Sequence, residues 1–188
     1  VAEIEAGNNS IFDAQSLDGI PWSLTANPNI GDKAGVDTST TIPHVTITGA
    51  GDGNFDYYSF TVDSENARGI FDIDTTNGWD TELFLYDAAG NPMLNGAGDD
   101  SAVTAGRGGS TSGFDSFIEF TFPAPGTYVV GVSKFNSDQT PFGITGTQPA
   151  AGNTYQLQVS IEGKNITEDF ALASFNISNG NLNISFDG

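Results

Sequence analysis

The stretch from residue 69 to residue 100, GIFDIDTTNGWDTELFLYDAAGNPMLNGAGDD, constrains the fold more than any other part of the chain. Two short apolar runs in it, residues 70–73 and 83–86, have the length and composition of β-strands that bury at least one face. Carboxylates flank or interrupt these runs at Asp72, Asp74, Asp80, Asp87, Asp99 and Asp100. Because burying an unpaired carboxylate is costly, the stretch predicts a β-scaffold whose acidic rims bind cations.

The chain has few basic residues that could pair with these carboxylates. It contains 24 Asp and Glu against five Lys and Arg, which gives a formal net charge of −19, and it has no Cys. Such a charge excludes binding to nucleic acid and to anionic membrane surfaces, both of which require Lys and Arg. A surface adapted to salty surroundings is the alternative explanation. Here, however, Asp clusters with Gly and Asn at strand ends, which favours several bound calcium ions.

Short alternating segments separated by Gly and Pro turns predict the fold class. The clearest are residues 44–49, 55–62, 115–122, 127–135 and 154–162. Eight or more such strands, without a helix longer than a turn or two, make an all-β chain. We therefore expect a calcium-stabilised antiparallel β-sandwich of jelly-roll-like form, with long ligand-binding loops at 95–114 and 136–153.

One sandwich domain is expected over residues 1–165, with its core at 44–162. Residues 166–188 carry two apolar runs around the turn Ser178-Asn179-Gly180-Asn181, which predicts a β-hairpin. This hairpin either completes the sandwich or links to the next module. No signal peptide or membrane-spanning run is visible, so we expect no membrane insertion, and the composition favours an extracellular bacterial setting.

Two further patterns concern calcium. Asp52, Asn54 and Asp56 have the D-x-N-x-D spacing of a calcium loop, although the strand that follows excludes an EF-hand. They either converge on one ion or are Asx-turn residues that cap a hairpin. Asp72 and Asp74 lie on one strand face, where two carboxylates repel each other unless a cation lies between them.

The glycine-rich segment 105–113, AGRGGSTSG, is the candidate ligand-binding loop. Arg107 can bind a carboxylate through two hydrogen bonds, and glycines allow backbone amides to approach a ligand. The predicted contacts are Asp100, Arg107, Gly108, Gly109 and Ser110, with Phe142 and Gly143 from the second loop. The alternatives are a solvated loop and, for Phe142 and Trp79, packing beneath the loops.

Catalysis has little support in the sequence. The single histidine, His44, begins a strand and is expected to be structural. Neither H-E-x-x-H nor G-x-S-x-G is present. A hydrolase with a carboxylate pair is defined by geometry and not by motif, but we expect that the protein is not an enzyme.

Five segments in order resemble the bacterial pre-peptidase C-terminal (PPC) domain, over about residues 44–162. They are FDYYSFTV, GIFDIDTTNGWDTELFLYDAAGN, GDD, DSFIEFTFPAPGTYVVGVS and NTYQLQVSIE. The resemblance implies a secreted, calcium-binding β-sandwich of the kind found beside proteases and in large surface proteins. It also implies metal-site roles for Asp56, Asp80, Asp87, Asp99, Asp100 and Asp115.

Long inserts at 101–114 and 136–153 make the chain similar to the peptide-binding modules of giant RTX adhesins in Gram-negative bacteria. That similarity implies a monomeric module of a larger cell-surface protein that captures a target protein's C-terminus through calcium, in cell adhesion or biofilm formation. Two alternatives stay open. One is a carbohydrate-binding module in which Trp79 or tyrosines stack on glycans, and the other is a calcium-rigidified accessory domain of a secreted protease.

Overall fold

The computed structural model describes residues 1–4, 7–75, 77–99, 105, 107, 110, 112–166, 171–178 and 181–187. In these ranges the only helix is a 3-10 turn at Ile11–Asp13. The strands are β1 (Gln15–Ser16), β2 (His44–Ala50), β3 (Asp56–Val62), β4 (Arg68–Thr75), β5 (Thr81–Asp87), β6 (Pro92–Asp99), β7 (Phe117–Thr121), β8 (Gly126–Thr140), β9 (Gly143–Thr147), β10 (Thr154–Ile161), β11 (Ala171–Ser178) and β12 (Asn181–Asp187).

Two sheets form the sandwich. One has the order β1-β3-β8-β5-β6, with β9 added along the second half of β8, and the other has the order β2-β10-β4-β7. Neighbouring strands are antiparallel except β1 and β3, which are parallel. The predicted all-β sandwich is confirmed.

Alternation along the strands builds the core between the two sheets. In β4, Phe71 and Ile73 are buried in this core, whereas Asp72 and Asp74 take the opposite face. Strand β10 contributes every second residue from Tyr155 to Ile161. These inward faces are the ones that the sequence pattern predicts.

Strand β5 is buried on both faces. Leu83 and Leu85 lie in the core between the sheets, while Phe84 and Tyr86 belong to a second apolar cluster on the outer face. Ile11 and Ile144 cover that outer cluster from the 3-10 turn and from β9. Burial on both faces explains why the segment LFLY carries an unbroken apolar run.

The segment predicted as a long loop at 136–153 is largely a β-hairpin arm, so that prediction is wrong for most of its length. Strand β8 continues to Thr140, and β9 runs back along it after a two-residue turn. The backbone N–H of Ile144 donates to Tyr57 Oη at 2.9 Å, which ties the arm to the outer face of the sheet. Turn-forming residues such as Asn136 and Pro141 hide this strand pair from a sequence-based prediction.

Other boundaries also differ from the expectation. Residues 95–99, assigned to a loop, complete β6. Strands β11 and β12 form the predicted hairpin as a separate two-stranded sheet, and neither sandwich sheet includes them. Among the described residues, no helix is long and apolar enough to cross a membrane.

Candidate functional site

A pair of buried carboxylates lies on the outer face of the four-stranded sheet. Asp72 and Asp74 are two residues apart on β4, so alternation points both side chains away from the core. Both are nonetheless buried, because Ser110 of the glycine-rich loop lies over them. The structure therefore brings together two predicted metal ligands and one predicted ligand-binding residue.

The hydrogen bonds of this pair are incomplete. Ser110 Oγ lies 3.2 Å from Asp72 Oδ1 and 3.3 Å from Asp74 Oδ1, but one hydroxyl proton serves only one carboxylate at a time. Gln158 Nε2 donates to Asp74 Oδ2 at 3.0 Å. Asp72 Oδ2 is buried and has no hydrogen-bond partner among the described residues. A buried carboxylate oxygen in this state is stabilised by a proton, an ordered water or a cation.

Electrostatics point the same way. Ion pairs in the described ranges involve Arg68, Arg107 and Lys164, and none of them includes Asp72 or Asp74. Burial raises the pKa of Asp72 well above its ordinary value, and the charges of Asp74 and Asp115 add to this effect. Burial also raises the pKa of Asp74 to about 6. The ionised pair is unfavourable without added positive charge.

The carboxylates do not form a complete metal site by themselves. Within the described residues, no group of three or more His, Asp or Glu side chains is arranged to hold a metal ion. The donors present, carboxylate and hydroxyl oxygens, are nevertheless of the hard type that calcium prefers. A calcium ion here would complete its coordination with backbone oxygens or water.

Asp115 anchors the end of the loop beside this pair. Its Oδ1 accepts hydrogen bonds from the backbone N–H of Thr75 at 3.0 Å and from Thr75 Oγ1 at 2.7 Å, and its Oδ2 accepts from the N–H of Ser112 at 3.2 Å. Asp115 is fully buried. Its carboxylate thus holds residue 112 against the end of β4, so the loop returns to the sheet at a defined place.

Arg107 binds the N-terminal part of the chain. Its guanidinium donates to the carbonyl of Gly35 at 2.9 Å and to that of Pro28 at 3.3 Å, and it lies 3.8 Å from the carboxylate of Asp37. Gly31 packs so closely that an added Cβ would lie 2.2 Å from the carbonyl oxygen of Ala105. In this structure Arg107 fixes the glycine-rich loop against residues 28–37.

Sequence reasoning missed a second buried acidic cluster, between the N-terminal segment and the sheets. Tyr58 Oη lies 2.7 Å from both Glu3 Oε1 and Tyr155 Oη, and Tyr155 Oη lies 2.8 Å from Asp56 Oδ2. The row therefore places two phenol hydroxyls between the carboxylates of Glu3 and Asp56. Beside it, Asn8 Oδ1 is buried without a hydrogen bond among the described residues.

The tyrosine pKa values reflect this environment. Burial, followed by the charge of Glu3, raises the pKa of Tyr58, and burial also raises the pKa of Tyr155 well above its ordinary value. Both phenols therefore stay protonated. Sequence signals for the cluster existed in Glu3 and in the polar segment that contains Asn8, but only the fold brings them to Asp56.

Asp52, Asn54 and Asp87 lie in turns. Asp52 Oδ1 accepts from the backbone N–H of Asn54 at 2.7 Å, so the hairpin-cap explanation describes these two residues, while Asp56 points into the Glu3 cluster. Asp87 Oδ1 accepts from the N–H groups of Ala89 and Asn91 in the β5–β6 turn. Asp80 and Asp87 stand at opposite ends of β5, as predicted.

The structure describes the other predicted metal ligands and loop residues only in part. Asp80 directly precedes β5, and its carbonyl accepts the N–H of Phe135 at 3.0 Å. Asp99 ends β6 opposite Glu82. Asp100, Gly108 and Gly109 lie outside the described residues.

Phe142 and Gly143 lie away from the glycine-rich loop. The carbonyl of Phe114, at the end of that loop, accepts the N–H of Thr81 at the start of β5, whereas the N–H of Phe142 donates to Gly90 beyond the end of β5. A strand of this length spans roughly 20 Å. The expectation that both loops contribute to one site is therefore wrong for Phe142 and Gly143.

Trp79 is not available for stacking on a sugar. Its ring is 6% exposed and packs against Tyr155, and its Nε1 donates to the carbonyl of Thr154 at 3.1 Å. The packing alternative is therefore the right one for Trp79. His44 is buried as well, with Nε2 at 2.9 Å from the carbonyl oxygen of Thr25, in keeping with a structural role.

Similarity to solved structures is remote. The PPC domain of a collagenase from Bacillus anthracis is 22% identical, with coverage of 62% of this chain and 88% of that chain and a TM-score of 0.41. CorA, a surface-associated copper-binding protein of Methylomicrobium album BG8, is 15% identical, with coverage of 63% and 92% and a TM-score of 0.38. A mutant of the Escherichia coli periplasmic inhibitor of g-type lysozyme is 14% identical, with coverage of 65% and 90% and a TM-score of 0.34.

Family comparison is more specific. No curated protein matches the chain. Residues 54–134 match the model of the bacterial pre-peptidase C-terminal domain, and the matched region runs from β3 into β8. It includes the carboxylate pair on β4 and the loop that covers it. Over this region, which is less than half of the chain, the protein is similar to the bacterial PPC domain.

Proposed function

We propose that this chain is a non-catalytic, calcium-dependent peptide-binding module of a secreted, cell-surface bacterial adhesin, and that it captures the C-terminus of a target protein. The PPC match supports a non-catalytic accessory module of a secreted protein. The finer assignment, to an RTX adhesin of a Gram-negative bacterium, is part of the proposal and extends the resemblance noted in the sequence.

The buried pair Asp72 and Asp74 carries the proposal. It combines unfavourable negative charge with an unpartnered buried oxygen, Asp72 Oδ2, directly beneath Ser110. Calcium bound at this place would supply the missing positive charge, and it would accept a ligand carboxylate as a further oxygen donor. Asp72 and Asp74 would hold the ion, with Ser110 as a neighbouring hydroxyl.

The surrounding loop supports a peptide as the ligand. Segment 105–113 is rich in glycine, Arg107 donates to the carbonyl of Gly35, and Asp115 accepts the N–H of Ser112. Glycines allow backbone N–H groups to approach a peptide carboxylate closely, and contacts that hold the loop residues reduce the entropic cost of binding. The Glu3 cluster, where Asn8 Oδ1 is unpartnered, is the second place at which we propose calcium.

A peptide array tests this function. The same set of C-terminal sequences is displayed with a free carboxylate and with a carboxamide, and the protein is applied in calcium or in chelator. We expect binding only to free carboxylates and only with calcium. Equal binding in chelator, or no preference for the carboxylate, would contradict the proposal.

Variants connect binding to the carboxylate pair. Asp74→Asn should weaken the binding of any peptide identified on the array by about tenfold or more, because one calcium ligand loses its charge. Asp87→Asn is the matched control, since Asp87 caps a turn at the other end of β5. A loss that is equal in both variants would show that the effect is general and not local.

An accessory role in a secreted protease is the second candidate, and the family match favours it. In that case calcium would stabilise the fold while neither form of the peptides would bind. A carbohydrate-binding module, the remaining alternative, would bind a glycan array instead. The buried position of Trp79 removes the aromatic residue that this alternative relied on most.

A further inference from the structure

Two phenylalanine rings are exposed side by side at the end of the sandwich opposite the glycine-rich loop. Phe12 is 67% exposed and Phe142 is 63% exposed, and their ring centroids are 6.3 Å apart. They come from the 3-10 turn and from the tip of the β8–β9 arm, which are distant in sequence. We call this pair the Phe12–Phe142 patch.

The backbone of Phe142 is strained. Its φ is 70°, in the left-handed region that glycine and asparagine occupy with ease and that bulky residues rarely adopt. Phe142 follows Pro141 at the hairpin turn, where Gly or Asn is the usual third residue of a turn of this kind. An exposed aromatic ring at such a position lowers both stability and solubility, so its presence points to a role outside folding.

The patch is held from behind on both sides. The N–H of Phe142 donates to the carbonyl of Gly90 at 2.8 Å, and an added Cβ at Gly90 would lie 3.0 Å from the Phe142 ring. On the other side Ile11 is buried, and Ser10 Oγ accepts the N–H of Asp13 at 3.2 Å. Both rings are thus presented on anchored backbone, which reduces the entropic cost of binding.

Two aspartates are connected to the patch through the backbone. Asp13 directly follows Phe12 and is exposed, and Asp87 lies in the turn that contains Gly90. The chain as a whole carries a net charge of −19. A ring face that is open to solvent attracts a Lys or Arg side chain, and nearby carboxylates strengthen that attraction.

We propose that the Phe12–Phe142 patch is a docking surface for a cationic protein segment in which Arg or Lys alternates with aliphatic side chains. Apolar side chains of the segment pack on the exposed side of the two rings, and its cations contact the ring faces and Asp13 or Asp87. The patch is distinct from the proposed peptide site, because the two lie at opposite ends of β5. Binding to the patch does not require calcium.

The test uses two blocked heptapeptides, acetylated and amidated, in which Leu alternates with Arg or with Glu. NMR shifts of the isotope-labelled protein are followed in calcium-free buffer. The Arg peptide should shift the resonances of Phe12 and Phe142, and the Glu peptide should leave them unchanged. Shifts confined to the Asp72–Asp74 pair, or equal effects of both peptides, would overturn the proposal.

Substitutions separate docking from packing. Phe142→Gly should reduce the affinity for the Arg peptide by about tenfold while raising the melting temperature, because glycine relieves the left-handed strain. Phe12→Ala should also reduce the affinity. Leu94→Ala is the control, since Leu94 is 85% exposed on β6 and lies outside the patch.

Two outcomes would contradict the role of the rings. If Phe142→Gly lowers the melting temperature and leaves the affinity for the Arg peptide intact, the ring is a packing element. If the protein instead self-associates with concentration, and Phe142→Gly abolishes that association without any effect of the Arg peptide, a second copy of the chain covers the patch. Sedimentation of the wild type and the variant distinguishes these results.

Discussion

At the scale of single residues, Asp72 and Asp74 hold the largest electrostatic conflict that we find in the described part of the protein. Unfolded aspartates have a pKa of about 3.9. In the folded state burial raises the pKa of both side chains, to about 6 for Asp74. The folded protein therefore binds more protons than the unfolded chain between these values, and this contribution to stability falls as the pH rises through that window.

Asp74→Asn removes one of the two buried carboxylates. In calcium-free buffer the variant should be more stable than the wild type at pH 7.5, by about 2 kcal/mol, and the gain should vanish near pH 4. Urea unfolding at both pH values measures the difference. A gain that is equal at the two pH values would show that repacking, and not charge, causes it.

Asp87→Asn should change the stability in the opposite direction. Partial burial tends to raise the pKa of Asp87. Hydrogen bonds from Asn91, Ala89 and Gly90 nevertheless hold this pKa below its usual value. Its contribution to stability is present above the unfolded pKa and is lost as the pH falls through the lower folded value. The variant should therefore be less stable than the wild type at pH 7.5.

At the scale of elements, the glycine-rich loop depends on the irregular segment that precedes β2. Arg107 donates to the carbonyls of Pro28 and Gly35, and Gly31 lies against the backbone of residue 105. Among the described loop residues, Ala105 and Arg107 thus contact this segment, and Ser110 contacts the carboxylate pair on β4. A change in the segment should reach the proposed site through the backbone of the loop.

Gly31→Ala tests that connection. The new Cβ would meet the Ala105 carbonyl oxygen at 2.2 Å, so the loop must shift, and we expect a loss of about 1–3 kcal/mol in unfolding free energy. Gly19→Ala is the matched control, because an added Cβ there meets nothing within 4 Å. Urea unfolding compares the two variants, and equal losses would show that the close approach at Gly31 is not tight in solution.

Strands were easier to predict than the connections between them. The alternation in β3, β4 and β10 identifies the side chains that face the core, because each strand carries its own pattern. The β8–β9 arm was predicted as a loop, because Pro141, Pro149 and several glycines interrupt that pattern. The hydrogen bond between Ile144 N–H and Tyr57 Oη, which joins residues 87 apart in the chain, helps to hold the arm against the sheet.

At the scale of the whole molecule, charge is the dominant property. A net charge of −19 on 188 residues makes the folded state repel itself, and several carboxylates are buried. Cations that bind the folded state and not the unfolded chain offset this cost through mass action. Calcium is the cation that the oxygen donors favour.

Calcium should therefore raise the melting temperature over a wide concentration range. Once a site is saturated, each tenfold rise in free calcium should add about 1.4 kcal/mol of unfolding free energy for each bound ion. Scanning calorimetry measures this slope, and magnesium at the same ionic strength is the control. A melting temperature that depends on ionic strength alone would contradict specific binding.

The sequence by itself determined the β-sandwich, its inward faces and the acidic character of its rims, because alternation and composition are local properties that each segment carries alone. Only the tertiary structure decided which carboxylates meet. It placed Ser110 over Asp72 and Asp74 and brought Asp56 to Glu3. It also placed Phe142 at the end of β5 that lies opposite the glycine-rich loop. These outcomes depend on contacts between residues far apart in the chain, which strand pairing and loop closure set and no local pattern encodes.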